Sequence, residues 1–277
     1  MSSPGVHNSR ILVVANQKGG VGKTTTAINL GTALAAVGES TLVIDLDPQG
    51  NASTGLGIPR SERKLTTYDV LMGEATIAEA VIATRIPKLS LVPSTVDLSG
   101  AEMELIGRTR RNFILKDALA EYSAHGQYSG SGARFSYVLI DCPPSLTLLT
   151  VNAMAAADAV IVPLQCEFFA LEGLSQLLKT IELVKVNLNP ALDIQGIVLT
   201  MFDKRNKLSE QVETDVRETM GAKVYRTMIP RNVRISEAPS HGLPALVYDL
   251  RCPGSQAYIK LAGELIARER ERLQAAA

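Results

Sequence analysis

The sequence predicts a three-layer α/β fold, a mostly parallel twisted sheet covered on both faces by helices. Three observations predict it. Short β-branched and aliphatic runs alternate with longer segments of helical spacing, which is the grammar of β-α-β units. The runs, such as Ile11-Leu12-Val13-Val14, are continuously apolar rather than alternating, as parallel strands buried on both faces are. A chain of 277 residues with 46% hydrophobic content can also bury a full-sized core.

In order, residues 11–15 read as a strand, 23–37 as a helix, and 41–45 and 89–92 as strands. Then come a strand at 137–141, a helix at 146–157, a strand at 159–163 and a helix at 171–187. Residues 194–200 and 224–229 complete the strands, with a helix at 209–220 between them. From Ser255 the spacing of Tyr258, Leu261, Leu265 and Ile266 predicts a last helix, which fades into a charged tail. The expected organisation is a flexible arm over residues 1–9 and one domain over 10–277, with a flexible Gly/Ser-rich surface loop at 123–134.

Charge is balanced, with 28 Lys plus Arg against 28 Asp plus Glu, so nucleic acid could be held only by a local patch. Cys142, Cys166 and Cys252 are too scattered for a disulfide framework or a zinc site, and Cys142 and Cys166 read as small core residues. His7, His125 and His241 form no ligand constellation. No signal pattern opens the chain and no apolar run is long enough to span a membrane, so a cytoplasmic protein is expected.

Chemistry is concentrated at Lys18-Gly19-Gly20-Val21-Gly22-Lys23-Thr24-Thr25, between the first predicted strand and helix. That placement is what a phosphate-binding P-loop requires. The glycines let backbone N–H groups turn toward phosphate oxygens, and the helix adds its positive N-terminal end. Lys23 supplies a charge to the β- and γ-phosphates, and the Thr24 hydroxyl is placed for Mg²⁺. Gln17 replaces the first glycine of the usual pattern, while a second lysine, Lys18, opens the loop. Two predicted strands end in carboxylates at the same sheet edge: Asp45 and Asp47 after one, Asp141 after the other. Asp141 reads as the acid that holds Mg²⁺, and Asp47 as a group that orients an attacking water beside the metal.

The lysine at the loop's start resembles the deviant Walker A group of P-loop ATPases. Further blocks narrow the resemblance to the ParA family of chromosome- and plasmid-partitioning ATPases, over about residues 10–265. They are Asn16-Gln17-Lys18-Gly19-Gly20, the run from Asp45-Leu46-Asp47-Pro48 to Gly57, Asp141-Cys142-Pro143-Pro144-Ser145, the run 163–173, and the run 229–242. With some ten residues before the first strand, the chain resembles the short chromosomal form, which has no operator-binding domain of its own. The resemblance implies an Mg²⁺-dependent ATPase that closes into an ATP-bound homodimer and coats double-stranded DNA without sequence preference, associated with the nucleoid. A ParB-like partner would release it by stimulating hydrolysis. Lys18 would act on the partner subunit's nucleotide, and Pro230 and Asn232 would flank the adenine. The alternative is a MinD-like membrane-associated ATPase; past Ile266 the last helix offers only Leu273 as a bulky anchor, which disfavours it.

For DNA, the stretch from Lys204 to Arg234 holds eight basic residues against four acidic ones. Arg205 and Arg234 match in context the arginines that ParA-like proteins place on DNA, and their two copies in a dimer would add by avidity.

Overall fold

The structure, a computed structural model, describes residues 9–125 and 134–276. These build a seven-stranded sheet from β1 (Arg10–Val14), β2 (Thr41–Asp45), β3 (Ile82–Ala83), β4 (Leu89–Val92), β5 (Tyr137–Asp141), β6 (Ala159–Gln165) and β7 (Asp193–Thr200). Its strand order is β3-β4-β2-β5-β1-β6-β7, and every neighbouring pair is parallel except β3 with β4.

Strand pleating divides the apolar side chains between two cores. Val13, Leu42, Ile44, Val138 and Ile140 point to one face, where they meet the helices Leu98–Leu105, Ile114–His125, Leu148–Ala156 and Ala170–Asn187. Leu12, Val14, Val43 and Leu139 point to the other, against the helices Lys23–Ala36 and Pro253–Ala276. Because the strands are buried from both sides, their sequences have no polar alternation to show. The three-layer fold expected from the sequence is the fold observed.

Parallel pairing sets Val14 of β1 beside Asp141 of β5, and Asp141 beside Asp45 of β2. Loops carrying chemistry therefore leave from adjacent central strands at one sheet edge.

Several expectations need correction. Residues 224–229 are not a strand, although Tyr225 N donates to Ile197 O and Ile229 N to Leu199 O. Between those two bonds the chain bows off β7, because Arg226 N and Thr227 N donate instead to the Glu264 carboxylate at 2.8 and 3.0 Å. The last helix does not fade; it runs from Pro253 to Ala276, anchored by Glu269, which is buried and paired with Arg10 and Arg272. The Ile114–His125 helix takes the first residues of the expected 123–134 loop, and the remainder, 126–133, lies outside the described residues. Of the expected N-terminal arm, Ser9 is tied to Phe135 O through its hydroxyl, and residues 1–8 lie outside the described residues. Among the described residues no helix is long and apolar enough to cross a membrane.

Candidate functional site

The loop between β1 and the Lys23–Ala36 helix holds its shape through bonds at both ends. Asn16 donates to Pro163 O at 2.7 Å and accepts from Lys18 N at 3.0 Å, which fixes the loop's entry. Gly20 and Gly22 lie in the left-handed region with φ of 74° and 87°, the conformation that turns successive amides to one side. Gly22 caps the helix, so the amides that open it, at Lys23, Thr24 and Thr25, face the same space. At the exit, the Thr200 hydroxyl at the end of β7 donates to Val21 O at 2.8 Å.

Lys23 is buried and its ammonium donates to Lys18 O at 2.9 Å. Burial pushes its pKa down, and the charges of Asp141, Cys142 and Asp47 oppose that shift. Lys18 points elsewhere: its half-exposed ammonium pairs with Glu167 just past β6. The two lysines therefore address different surroundings within the chain.

The three carboxylates gather as expected but are held in different ways. Asp45 is fully buried and accepts from Ser53 N at 2.8 Å, Ser53 Oγ at 2.6 Å and Asp47 N at 3.3 Å. Burial pushes its pKa up to about 6, against those hydrogen bonds. Asp47 is nearly buried, and its Oδ1 accepts from Gln49 N at 2.9 Å, which closes the Pro48-Gln49-Gly50 turn. Both side-chain oxygens of Asp141 are buried and, among the described residues, have no hydrogen-bond partner. Its pKa is raised well above the ordinary value by burial and then by the Asp45 and Asp47 charges. The Thr24 side chain lies near enough to favour the ionised form, short of a hydrogen bond of normal geometry, and Lys23 acts in the same sense.

An orphaned buried carboxylate beside a hydroxyl is the donor set that a hard cation completes. Among the described residues no group of three or more His, Cys, Asp and Glu could hold a metal ion. The arrangement fits Mg²⁺, which binds through one or two protein oxygens plus phosphates and water, and does not fit a metal held by protein alone.

Pro230 and Asn232 line a cavity of about 240 Å³ with Gly22, Thr25, Thr200 and Tyr258. The Asn232 Oδ1 is buried with no donor among the described residues. The space thus begins where the phosphate loop ends and offers an apolar wall, a shape that suits an adenine ring.

Two side chains escaped the sequence reading. Arg63 is buried behind the carboxylate loop, where it donates to Ile58 O, Ser94 O and the Thr54 hydroxyl. Burial pushes its pKa down, and the Asp45 charge opposes the shift. Ser53 bridges Asp45 to Ser94 N at 3.0 Å. An arginine in a polar stretch reads as a surface charge, so no sequence signal pointed to Arg63; the Ser53 hydroxyl is hidden among turn formers for the same reason.

The expected DNA arginines are on the surface but engaged. Arg205 makes a two-toothed pair with Asp203, at 3.0 and 2.8 Å. Arg234 pairs with Glu237 at 3.0 Å and with Asp249 at 3.7 Å. Arg217 and Lys223 of the same basic stretch are held by Glu213 and Asp193. Cys142 and Cys166 are buried, and burial pushes both thiols up, which makes them inert packing residues.

Comparison with known proteins agrees with this geometry. A family described as an AAA domain (AAA_31) matches residues 9–194. The chromosome partitioning protein ParA of Caulobacter vibrioides is 64% identical over 97% of this chain and 98% of its own length. The chromosome-partitioning ATPase Soj of Treponema pallidum is 50% identical over 95% of this chain and 99% of its own. Among solved structures, cobyrinic acid a,c-diamide synthase from Mycobacterium smegmatis, with bound ATP analogue and magnesium, superposes with a TM-score of 0.80 at 37% identity, covering 95% of this chain and 96% of that one. The chain belongs to the ParA/Soj family of chromosome-partitioning proteins.

Proposed function

We propose that this chain is an ATP-hydrolysing switch for DNA partition, and the observation that carries the reading is the unpartnered Asp141 carboxylate facing a phosphate loop. ATP would lie with its phosphates in the loop from Lys18 to Thr25, bonded by the amides of Gly19, Gly20, Val21 and Gly22 and by the Lys23 ammonium. Thr24 and Asp141 would hold Mg²⁺, with Asp47 close by; the ion neutralises phosphate charge when bound. Lys23 exchanges its bond with Lys18 O for a phosphate oxygen, a more favourable partner for a buried cation. The Asp47 carboxylate, fixed by the turn it closes, accepts a hydrogen bond from the attacking water and aligns it with the γ-phosphate. The adenine occupies the cavity of Pro230 and Asn232.

Lys18 leaves Glu167 and completes the nucleotide site of a second copy, so that ATP closes a homodimer. The dimer would carry two sets of surface arginines, Arg205 and Arg234, onto double-stranded DNA of any sequence. A ParB-like protein would end the cycle by stimulating hydrolysis. Membership of the partition family supports this cycle, and relatives described with ATP analogue and magnesium support the cofactors.

The test is a Lys18→Ala variant studied with ATP and Mg²⁺. Equilibrium ATP binding should stay close to the parent's, while the ATP-dependent dimer peak in size-exclusion chromatography disappears. A variant that dimerises like the parent would remove Lys18 from the interface and with it the proposed switch.

A further inference from the structure

The peptide unit joining Val21 to Gly22 lies at the centre of the phosphate loop, and the loop does not secure its orientation by itself. Gly20 and Gly22 flank it, with φ of 74° and 87°. A peptide unit is planar and trans, so its C=O and N–H point in opposite directions and turn together. The N–H belongs to Gly22, and a glycine adopts negative φ about as readily as positive. Rotation of the unit therefore meets little resistance from Gly22, and it would exchange an amide donor facing the phosphate space for a carbonyl oxygen that repels phosphate.

Among the described residues one side chain opposes that rotation. The Thr200 hydroxyl donates to Val21 O at 2.8 Å, across 179 positions of sequence. Thr200 is the last residue of β7, and β6 lies between β7 and β1. Both Val21 and Thr200 are buried, so water does not compete for the bond. A Cβ built on Gly22 would lie 3.9 Å from Thr200 Cγ2, so the methyl of the same side chain packs against the other half of the unit. Gly22 N itself donates to no protein acceptor among the described residues, which leaves it free for a ligand. The three residues before Thr200, Ile197, Val198 and Leu199, are fully buried aliphatics, and a valine would continue them without desolvating a hydroxyl. What the hydroxyl gains at this position is its bond to the loop.

We propose that Thr200 is a positioning residue for nucleotide binding, a role that rests on the ATP reading above. With Val21 C=O held toward Thr200, the Gly22 N–H is held the opposite way, toward the phosphates. Unlike Lys23 and Thr24, Thr200 touches neither phosphate nor metal and acts only through the peptide it orients.

The experiment is calorimetric titration of the full chain with ADP and Mg²⁺, which keeps hydrolysis out of the measurement. Thr200→Val keeps the shape and removes the donor. It should weaken ADP binding about tenfold or more, the worth of one hydrogen bond to a charged group, while one site per chain is retained. Thr200→Ser keeps the donor and should recover most of the lost affinity. A role in folding alone would instead lower the number of competent sites and leave the affinity of the remainder unchanged, and that result would overturn the proposal. So would parent-like affinity in Thr200→Val, or a loss in Thr200→Ser as large as in Thr200→Val. If Thr200→Val does not fold, Thr200→Cys takes its place, since a thiol is a weak donor: weaker ADP binding supports the role and parent-like affinity overturns it. A parent that binds no ADP would sink the nucleotide site itself, and Thr200 with it.

Discussion

Asp45 and Asp141 sit side by side on neighbouring strands, equally buried, at the same height in the sheet. Asp45 is saturated by Ser53 and the Asp47 amide, and so spends its charge on shaping the loop that presents Asp47. Asp141 accepts no hydrogen bond of normal geometry among the described residues, although desolvation is as severe. One carboxylate is thus part of the scaffold and the other is part of a binding site. A strand-end aspartate is the same letter in both cases; the difference lies in whether the following residues supply donors.

The largest test of this contrast is a pair of substitutions. Asp141→Asn should weaken Mg²⁺-dependent ATP binding by about a hundredfold or more, given the several kcal/mol of charge stabilisation a bound metal provides, while the thermal midpoint without nucleotide rises because an unpaired buried charge is gone. Asp45→Asn should do the reverse, lowering stability by about 1–3 kcal/mol because an amide NH2 replaces one of the two acceptor oxygens that face the Ser53 and Asp47 donors, with a much smaller change in nucleotide affinity. Equal effects on both properties would dissolve the distinction.

A second test acts on the Asp45 side only. Gly50 has φ of 63°, and a Cβ there would lie 2.6 Å from Arg63 Nη1 and 2.8 Å from Ser94 O. Gly50→Ala should therefore cost about 1–3 kcal/mol in denaturant unfolding and slow hydrolysis through a displaced Asp47. A neutral substitution would show that the Arg63 network does not hold the loop.

The smallest effect is in pH dependence. Burial raises Asp45 to about 6 and Asp141 well above its ordinary value. A carboxyl with a raised folded-state pKa favours the fold most fully below its unfolded value, and that contribution is lost as pH rises through the folded value. Without nucleotide, the parent should accordingly gain stability relative to an Asp45→Asn/Asp141→Asn double variant as pH falls from neutral through 6. Denaturant titrations of both proteins across that range measure the difference, and parallel curves would refute the raised values.

Much of this was legible in the sequence, and the reason differs by region. The central strands were readable because burial on both faces leaves no choice but unbroken apolar runs, and β2, β4 and β5 fall on the expected residues. The phosphate loop was readable because its glycines serve backbone geometry that few other residues can adopt. Between β2 and β5 the reading was thin. The short helices Thr67–Met72 and Ile77–Ala80 went unread, although each opens with a capping box, Thr66 with Asp69 and Thr76 with Glu79, a T-x-x-acid signal present in the sequence. Residues 224–229 misled because their strand pattern is real, and only the distant Glu264 diverts the amides that a ladder would have used. The pairs of Arg205 with Asp203 and of Arg234 with Glu237 are local, two and three residues apart, and were open to a reading of the sequence; only the contact of Arg234 with Asp249 is a tertiary fact.

That diverted segment has another consequence. β7 is the last strand of the sheet on its side, and a long parallel strand with free amides is an invitation to pair with any other exposed strand. The 224–230 stretch lies along β7 and touches it through isolated bridges, while Glu264 occupies the amides that would otherwise extend the ladder outward. On the opposite side the sheet closes with β3, two residues long and antiparallel. Both margins are therefore poor templates for strand addition, and a protein proposed to assemble reversibly through its nucleotide face is left with little opportunity to aggregate irreversibly through its sheet.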